Sequence, residues 1–222
     1  MRKSSAQLRA VMFDLDGTLV DTMGAFADLA ADVMATRHGD DRATARSRYL
    51  QTSGIPFCQQ LEVIHTGDPR NAAASDEFEH RKRAVCDATM MDADTVRGLH
   101  GLRALGYKLI VSSNTGQVFV DDFARRESFT FDLALGFDPA SGLAKGRPHV
   151  ERACRVFGLQ TSELLFCGDS LKDRELAHVC DVAFVGRLGT FTKDDFRRDD
   201  PMVLVVNNVA ELPELLRSRI AA

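Results

Sequence analysis

The chain has 222 residues, 45% apolar and 27% charged, with 28 basic and 32 acidic side chains and a formal net charge of −4. That length predicts one large domain or a core with a smaller insert, and the apolar share excludes a disordered chain. The weakly acidic balance excludes a dedicated nucleic-acid or anionic-membrane binder, and no apolar run approaches the ~18 residues of a membrane span.

The first residues, Met1-Arg2-Lys3-Ser4-Ser5, are basic, but the chain soon runs into Asp14 and Asp16, so no secretory signal is expected. Residues 10–13 (Ala-Val-Met-Phe) form the first of several short apolar runs, read as strands buried on both faces. From about 21 to 92 no strand pattern appears. Met23, Phe26, Ala27, Ala30, Val33 and Met34 mark one amphipathic helix, and further helices are expected over 42–50, 57–65 and 75–88. Arg81-Lys82-Arg83 reads as a solvated helix face. Some seventy helical residues between two strands exceed what one crossover needs, which is little more than about a dozen. They are read as an inserted all-helical cap, giving a core of 1–20 and 93–222 and a cap of 21–92.

Beyond the insert, Val96, Leu99, Leu102 and Leu105 make a helical stripe ending at Gly106. Strands are expected at 109–111, 131–135, 164–166, 182–185 and 203–206. Val150, Ala153, Cys154 and Phe157 mark another helix, opened near Pro148 and stopped at Gly158. This alternation predicts an α/β fold, a Rossmann-like doubly wound, mostly parallel sheet with helices on both faces. The five cysteines (Cys58, Cys86, Cys154, Cys167, Cys180) are odd in number and form no C-x-x-C pair, so reduced, mostly buried thiols and a cytoplasmic protein are expected. The six histidines are scattered without ligand spacing and read as surface or structural. Neither a G-x-x-x-x-G-K-[ST] loop nor H-E-x-x-H occurs.

The strongest chemical signal is Phe13-Asp14-Leu15-Asp16-Gly17-Thr18-Leu19, directly after the first strand. Two aspartates two residues apart are costly at a buried strand end unless something compensates their charge. In open α/β sheets that end is where ligands bind. A turn aspartate accounts for Asp16-Gly17 alone; it does not account for the groups at other strand ends. Ser112, Ser113, Asn114 and Thr115 close the second strand with groups that can donate to phosphate oxygens. Lys145 precedes Gly146-Arg147-Pro148 and a helix. Gly168-Asp169-Ser170 closes the fourth strand, with Asp173 one turn on. Acids at two strand ends, with hydroxyl and ammonium nearby, suit a hard cation holding a phosphate, and Mg²⁺ prefers such oxygen ligands.

In this order the motifs resemble those of the haloacid dehalogenase superfamily of phosphotransferases, from Val11 to about Val185, with a helical cap in the family's place. The general layout is similar to the phosphoglycolate-phosphatase and β-phosphoglucomutase branch. The resemblance implies strand order 5-4-1-2-3, which sets Asp14 and Asp169 side by side. It implies a Mg²⁺-dependent phosphatase acting on a small phosphorylated metabolite, with no nucleic-acid or membrane partner, as a monomer or homodimer. Asp14 would be the nucleophile and Asp16 the general acid and base. Asp14, the Asp16 carbonyl and Asp169 would hold Mg²⁺. Ser113 (or Ser112), Asn114, Lys145 and the Gly17 backbone would bind phosphate. Asp173 would orient Lys145 or a metal-bound water, supported by Ser170. The Lys-Gly-Arg-Pro stretch departs from the many relatives with proline directly after the lysine. Residues 52–56 lie where such caps present a substrate loop, and a plain connector fits them equally. The core motifs leave open a phosphomutase that passes the same aspartyl-phosphate to another hydroxyl, and a retired phosphate-binding scaffold. A halide-displacing enzyme is disfavoured, since it needs no leaving-group acid at position 16.

Overall fold

A computed structural model describes residues 7–220; the basic stretch 1–5 lies outside them. The chain divides into two compact units, one taking in the chain up to Val20 and from Met91 onward, the other Asp21–Met90.

The first unit holds one six-stranded sheet: β1 (Ala10–Phe13), β2 (Lys108–Gly116), β3 (Leu133–Phe137), β4 (Leu164–Gly168), β5 (Ala183–Arg187) and β6 (Leu204–Val206). Every pairing is parallel, and the order is β3-β2-β1-β4-β5-β6. The expected order of the first five strands therefore holds, and β6 extends the sheet beside β5. Alternate residues go to opposite faces. Val11, Phe13, Leu109, Val111, Leu165 and Cys167 enter one core; Ala10, Met12, Ile110, Leu164 and Phe166 enter the other. With both faces covered, each strand reads as an unbroken apolar run.

The third strand begins two residues later than expected. Phe129 and Phe131 pack edge to face at 5.2 Å, and Phe129 is buried in the core, so these apolar residues satisfy packing without joining the ladder. Backbone contact begins with Asp132, whose N–H donates to the Leu109 carbonyl.

The second unit holds four helices, α1 (Met23–His38), α2 (Arg42–Gln51), α3 (Phe57–Ile64) and α4 (Asn71–Ala88). They enclose their own core of Phe26, Ala30, Val33, Met34, Tyr49, Phe57, Leu61 and Phe78. In the basic run on α4, Arg81 and Arg83 are exposed, as expected of a solvated face, and Lys82 is half-buried. Arg81 pairs with Asp32 and Glu77, and the Lys82 ammonium lies 4.8 Å from the Phe26 ring centre. Residues 52–56 form a braced turn: Thr52 donates to the Gln60 side chain (2.9 Å), and Gln60 donates back to the Ile55 carbonyl (3.0 Å).

The remaining helices of the first unit are α5 (Ala93–Ala104), α6 (Gln117–Arg126), α7 (Arg147–Phe157), α8 (Leu171–Val179), α9 (Lys193–Arg197) and α10 (Leu212–Ile220). α5, α6 and α10 supply one face of the sheet, α7 and α8 the other. Among the described residues no helix is long and apolar enough to cross a membrane.

Candidate active site

The site is built at the carboxyl ends of β1, β2 and β4. The Asp14 N–H donates to the Cys167 carbonyl at 2.9 Å, which fixes the end of β1 against β4 one residue before Gly168. The chain then folds back: the N–H groups of Leu19 and Val20 both donate to the Leu15 carbonyl, at 2.9 and 3.1 Å. Leu15, Leu19 and Val20 are buried in the core beneath. These three apolar residues pin the loop, so the polar positions between them are held at the sheet end. The Gly17 N–H donates to the Val20 carbonyl at 2.8 Å. Gly17 thus closes the turn, and its own N–H is engaged within the loop.

Carboxylate oxygens of Asp14, Asp169 and Asp173 lie within 4.8 Å of one another, and all three residues are buried. The buried Lys145 ammonium is 2.8 Å from Asp14 Oδ1 and 2.6 Å from Asp173 Oδ1. Burial opposes the charge on Lys145, but the two carboxylates outweigh it and hold its pKa above the ordinary lysine value. The acids fare differently, because one ammonium cannot neutralise three carboxylates. Burial pushes the Asp14 carboxyl up to about 7; Lys145 opposes the shift and the charges of Asp173 and Asp16 add to it. Asp169 is raised well above its ordinary value by burial and by the charges of Asp14 and Asp173. Raised carboxyls beside hard oxygen donors mark a place where positive charge is stabilising. The donor set therefore fits Mg²⁺.

Asp173 is gripped from two sides. Ser170 donates through its hydroxyl (2.8 Å) and its backbone N–H (3.2 Å) to Asp173 Oδ2, while the Asp173 N–H donates back to the Ser170 hydroxyl at 3.1 Å. This is a capping box at the start of α8. The carboxylate lies so close to the end of β4 that a Cβ on Gly168 would meet Asp173 Oδ2 at 2.5 Å, which is why glycine precedes Asp169. Lys145 is followed by Gly146 at φ +120°, a conformation closed to proline. Here the glycine departure from the family pattern gives the lysine loop a path that Lys-Pro cannot follow.

A histidine gives the two serines different hydrogen-bond partners. His149, fully buried on α7, places Nε2 3.0 Å from the Gly136 carbonyl and Nδ1 2.9 Å from the Ser112 hydroxyl. A carbonyl only accepts, so Nε2 carries the ring proton and Nδ1 accepts. The single proton of Ser112 is thereby committed to His149. Ser113, also buried, accepts from the Thr115 N–H at 3.0 Å, which leaves its own proton to donate. Ser113 is thus the hydroxyl able to serve a phosphate. The half-buried Asn114 lies beside it. The half-buried Asp16 is outside the cluster of three; its Oδ2 accepts from the Thr115 hydroxyl at 2.8 Å.

Spacing did not single out the His149 clip or the Thr115–Asp16 bond. Thr115 carried one usable signal, its place two residues after Ser113 on the same strand. His149 carried none, because its partners come from β2 and β3.

Burial pushes the His149 imidazole down to about 4, with the Lys145 charge adding to the shift and the Gly136 bond opposing it. The unfolded chain takes up this proton first, near pH 6.5, so stability is lost as pH falls from about 6.5 to about 4, by roughly 3 kcal/mol at ~1.4 kcal/mol per unit. Urea midpoints of the parent and of His149→Gln, measured from pH 7 to pH 4, should converge by about that amount. Parallel curves would contradict the buried neutral imidazole. The cysteines offer no such chemistry at the site: burial, with Asp173 and Asp169 adding, drives the Cys167 thiol far above its ordinary pKa. Cys167 and Cys180 are buried, Cys86 and Cys154 half-buried and Cys58 exposed, fewer buried thiols than the sequence suggested.

A doubly wound parallel sheet carrying acids at the ends of adjacent strands, with a buried lysine and a strand-end serine, defines an α/β enzyme of phosphoryl chemistry. Comparison with known proteins gives the class its name. Residues 11–186 match the family model of haloacid dehalogenase-like hydrolases, and the chain belongs to that family. It is 30% identical over 209 residues to the probable phosphatase IndB of Dickeya dadantii, covering 88% of each chain. It is 27% identical to a phosphoglycolate phosphatase of Chromobacterium violaceum, covering 95% of this chain and 97% of the relative. A predicted phosphatase from Clostridium acetobutylicum superposes with a TM-score of 0.78 at 17% identity, over 98% of this chain and all of its own. Within the family the chain is a phosphoric monoester hydrolase.

Proposed function

We propose that the protein hydrolyses a small-molecule phosphate monoester in two half-reactions through an aspartyl-phosphate on Asp14, with Mg²⁺ as its cofactor. The observation that carries this reading is the Lys145 ammonium held between Asp14 and Asp173, 2.8 and 2.6 Å away, at the end of the strand pair that also presents Asp169. It puts a nucleophilic carboxylate and a fixed positive charge at the same point.

In the first half-reaction an Asp14 oxygen bonds to phosphorus as the ester P–O bond breaks, and Asp16 gives its proton to the departing alkoxide. In the second, water bonds to phosphorus, the Asp14–phosphorus bond breaks, and Asp16 takes the water's proton. The obstacle is repulsion, since two unit charges ~4 Å apart at an effective dielectric of ~20 cost about 4 kcal/mol. Asp14, the backbone carbonyl of Asp16 and Asp169 would hold Mg²⁺, which supplies charge against the phosphate and lets both carboxylates stay ionised. Lys145 and Ser113 bind the remaining phosphate oxygens, with Asn114 beside them, and receive the charge that develops there. Asp173 and Ser170 keep Lys145 in place. The protein acts in the cytoplasm, as a monomer or homodimer, without nucleic acid or membrane.

Relatives named phosphoglycolate phosphatase make 2-phosphoglycolate the first ester to assay, within a panel of phosphorylated sugars, nucleotides and short acids. Turnover with Mg²⁺ should fall at least about 100-fold with EDTA and return on adding Mg²⁺. Turnover that survives EDTA would remove the cation from the reading. A strict requirement for a bisphosphate activator would reassign the protein as a mutase. Mg²⁺-dependent stabilisation with no turnover of any ester would leave a phosphate-binding scaffold.

A further inference from the structure

We propose that Thr115 is a positioning residue for Asp16, its hydroxyl holding the carboxyl in the one orientation from which the proton is given to the leaving group and recovered from water. The inference rests on the phosphatase reading, in which Asp16 is the acid and base. Thr115 lies 99 residues from Asp16 in sequence, on another strand, and its Oγ1 reaches Asp16 Oδ2 at 2.8 Å. Thr115 is buried, whereas Asp16 is half-buried on the turn that follows β1. An aspartate on a turn has rotamers to spare; fixing one carboxyl oxygen fixes where the other points.

Threonine suits this task for two reasons. Its β-branch restricts χ1, so the buried residue presents its hydroxyl in a set direction. A hydroxyl also donates equally to a carboxylate oxygen and to the carbonyl oxygen of a carboxylic acid, so Oδ2 stays tethered while the transferred proton sits on the other oxygen. The tether therefore survives both protonation states that Asp16 passes through. The same residue donates its backbone N–H to the Ser113 hydroxyl at 3.0 Å. One strand position thus holds the proton-transfer group and the phosphate-binding hydroxyl in a common frame, and small displacements between such groups cost rate steeply.

The test is a cycle of Thr115→Val and Asp16→Ala, with Thr115→Ser as the conservative variant. Each is assayed on the best alkyl phosphate of the panel and on p-nitrophenyl phosphate, whose leaving group needs no acid. Thr115→Val should lower kcat for the alkyl ester about 30-fold with KM nearly unchanged. It should change the aryl ester less than about threefold, and Thr115→Ser should recover most of the loss. In the Asp16→Ala background Thr115→Val should add less than about twofold, because the group it serves is gone. Equal losses on both esters, no rescue by serine, or a multiplicative loss in the Asp16→Ala background would overturn the positioning role alone. If Asp16→Ala itself shows no preference between the esters, the acid reading falls and this inference falls with it. Should Thr115→Val fail to fold, Thr115→Ala takes its place in the same cycle.

Discussion

Asp14→Asn is expected to abolish turnover of every phosphate ester, by about 10⁴-fold or more, while the fold survives. The amide matches the carboxylate in shape but is too weak a nucleophile to take the phosphoryl group. The structure also predicts what happens to stability. Burial already drives the Asp14 carboxyl up to about 7, so its charge is a burden on the metal-free fold. Replacing it with a neutral amide leaves the Lys145 ammonium its 2.6 Å partner Asp173 and removes one of three crowded carboxylates. Without Mg²⁺ at pH 8, the melting temperature of the variant should equal or exceed that of the parent. A variant that hydrolyses esters at the parent's rate would refute the nucleophile. One that is inactive but unfolded would instead refute the account of the charge cluster.

Lys145→Met carries the second large effect, and it falls on stability as well as rate. Methionine fills a similar volume but leaves buried Asp14 and Asp173 facing each other and Asp169 without an ammonium. Removing one partner of a buried ion pair costs about 3–5 kcal/mol, because the remaining charge is left uncompensated. Two acids lose their partner here, so the metal-free variant should sit at the upper end of that range by urea unfolding. Adding Mg²⁺ should restore part of the stability, since a cation takes over some of the missing charge. Activity should fall about 100- to 1,000-fold, the usual loss of one fixed electrostatic group in a phosphoryl site. A stability loss below about 1 kcal/mol would show that the cluster is solvated well enough to need no buried cation.

Both expectations turn on an imbalance of charge that the sequence displays but does not place. Asp14, Asp169 and Asp173 could be recognised because each sits just past an apolar run, where polar residues stand out. That Lys145 pairs with Asp14 and Asp173, and that burial and mutual repulsion still raise Asp14 and Asp169 against it, depends on angstrom-scale geometry. Lys145 comes from a loop that belongs to neither β1 nor β4, and Gly146 sets its path.

Much of the architecture was written in the linear chain. Strands covered on both faces must be apolar at every position, so their runs were visible one by one, as was the helical insert that interrupts them. The polar ends of β1, β2 and β4 announced the chemistry for the same reason. Tertiary structure decided the direction of the hydrogen bonds. Ser112 and Ser113 are indistinguishable as letters, and only the Gly136 carbonyl, by fixing the His149 tautomer, assigns the donor proton to one of them. Gly17 gives its N–H to Val20, and Thr115 reaches Asp16 across 99 residues. A sequence pattern records which face a residue takes, because that follows from a local period. Which partner it meets depends on the register between distant strands, which no local period encodes.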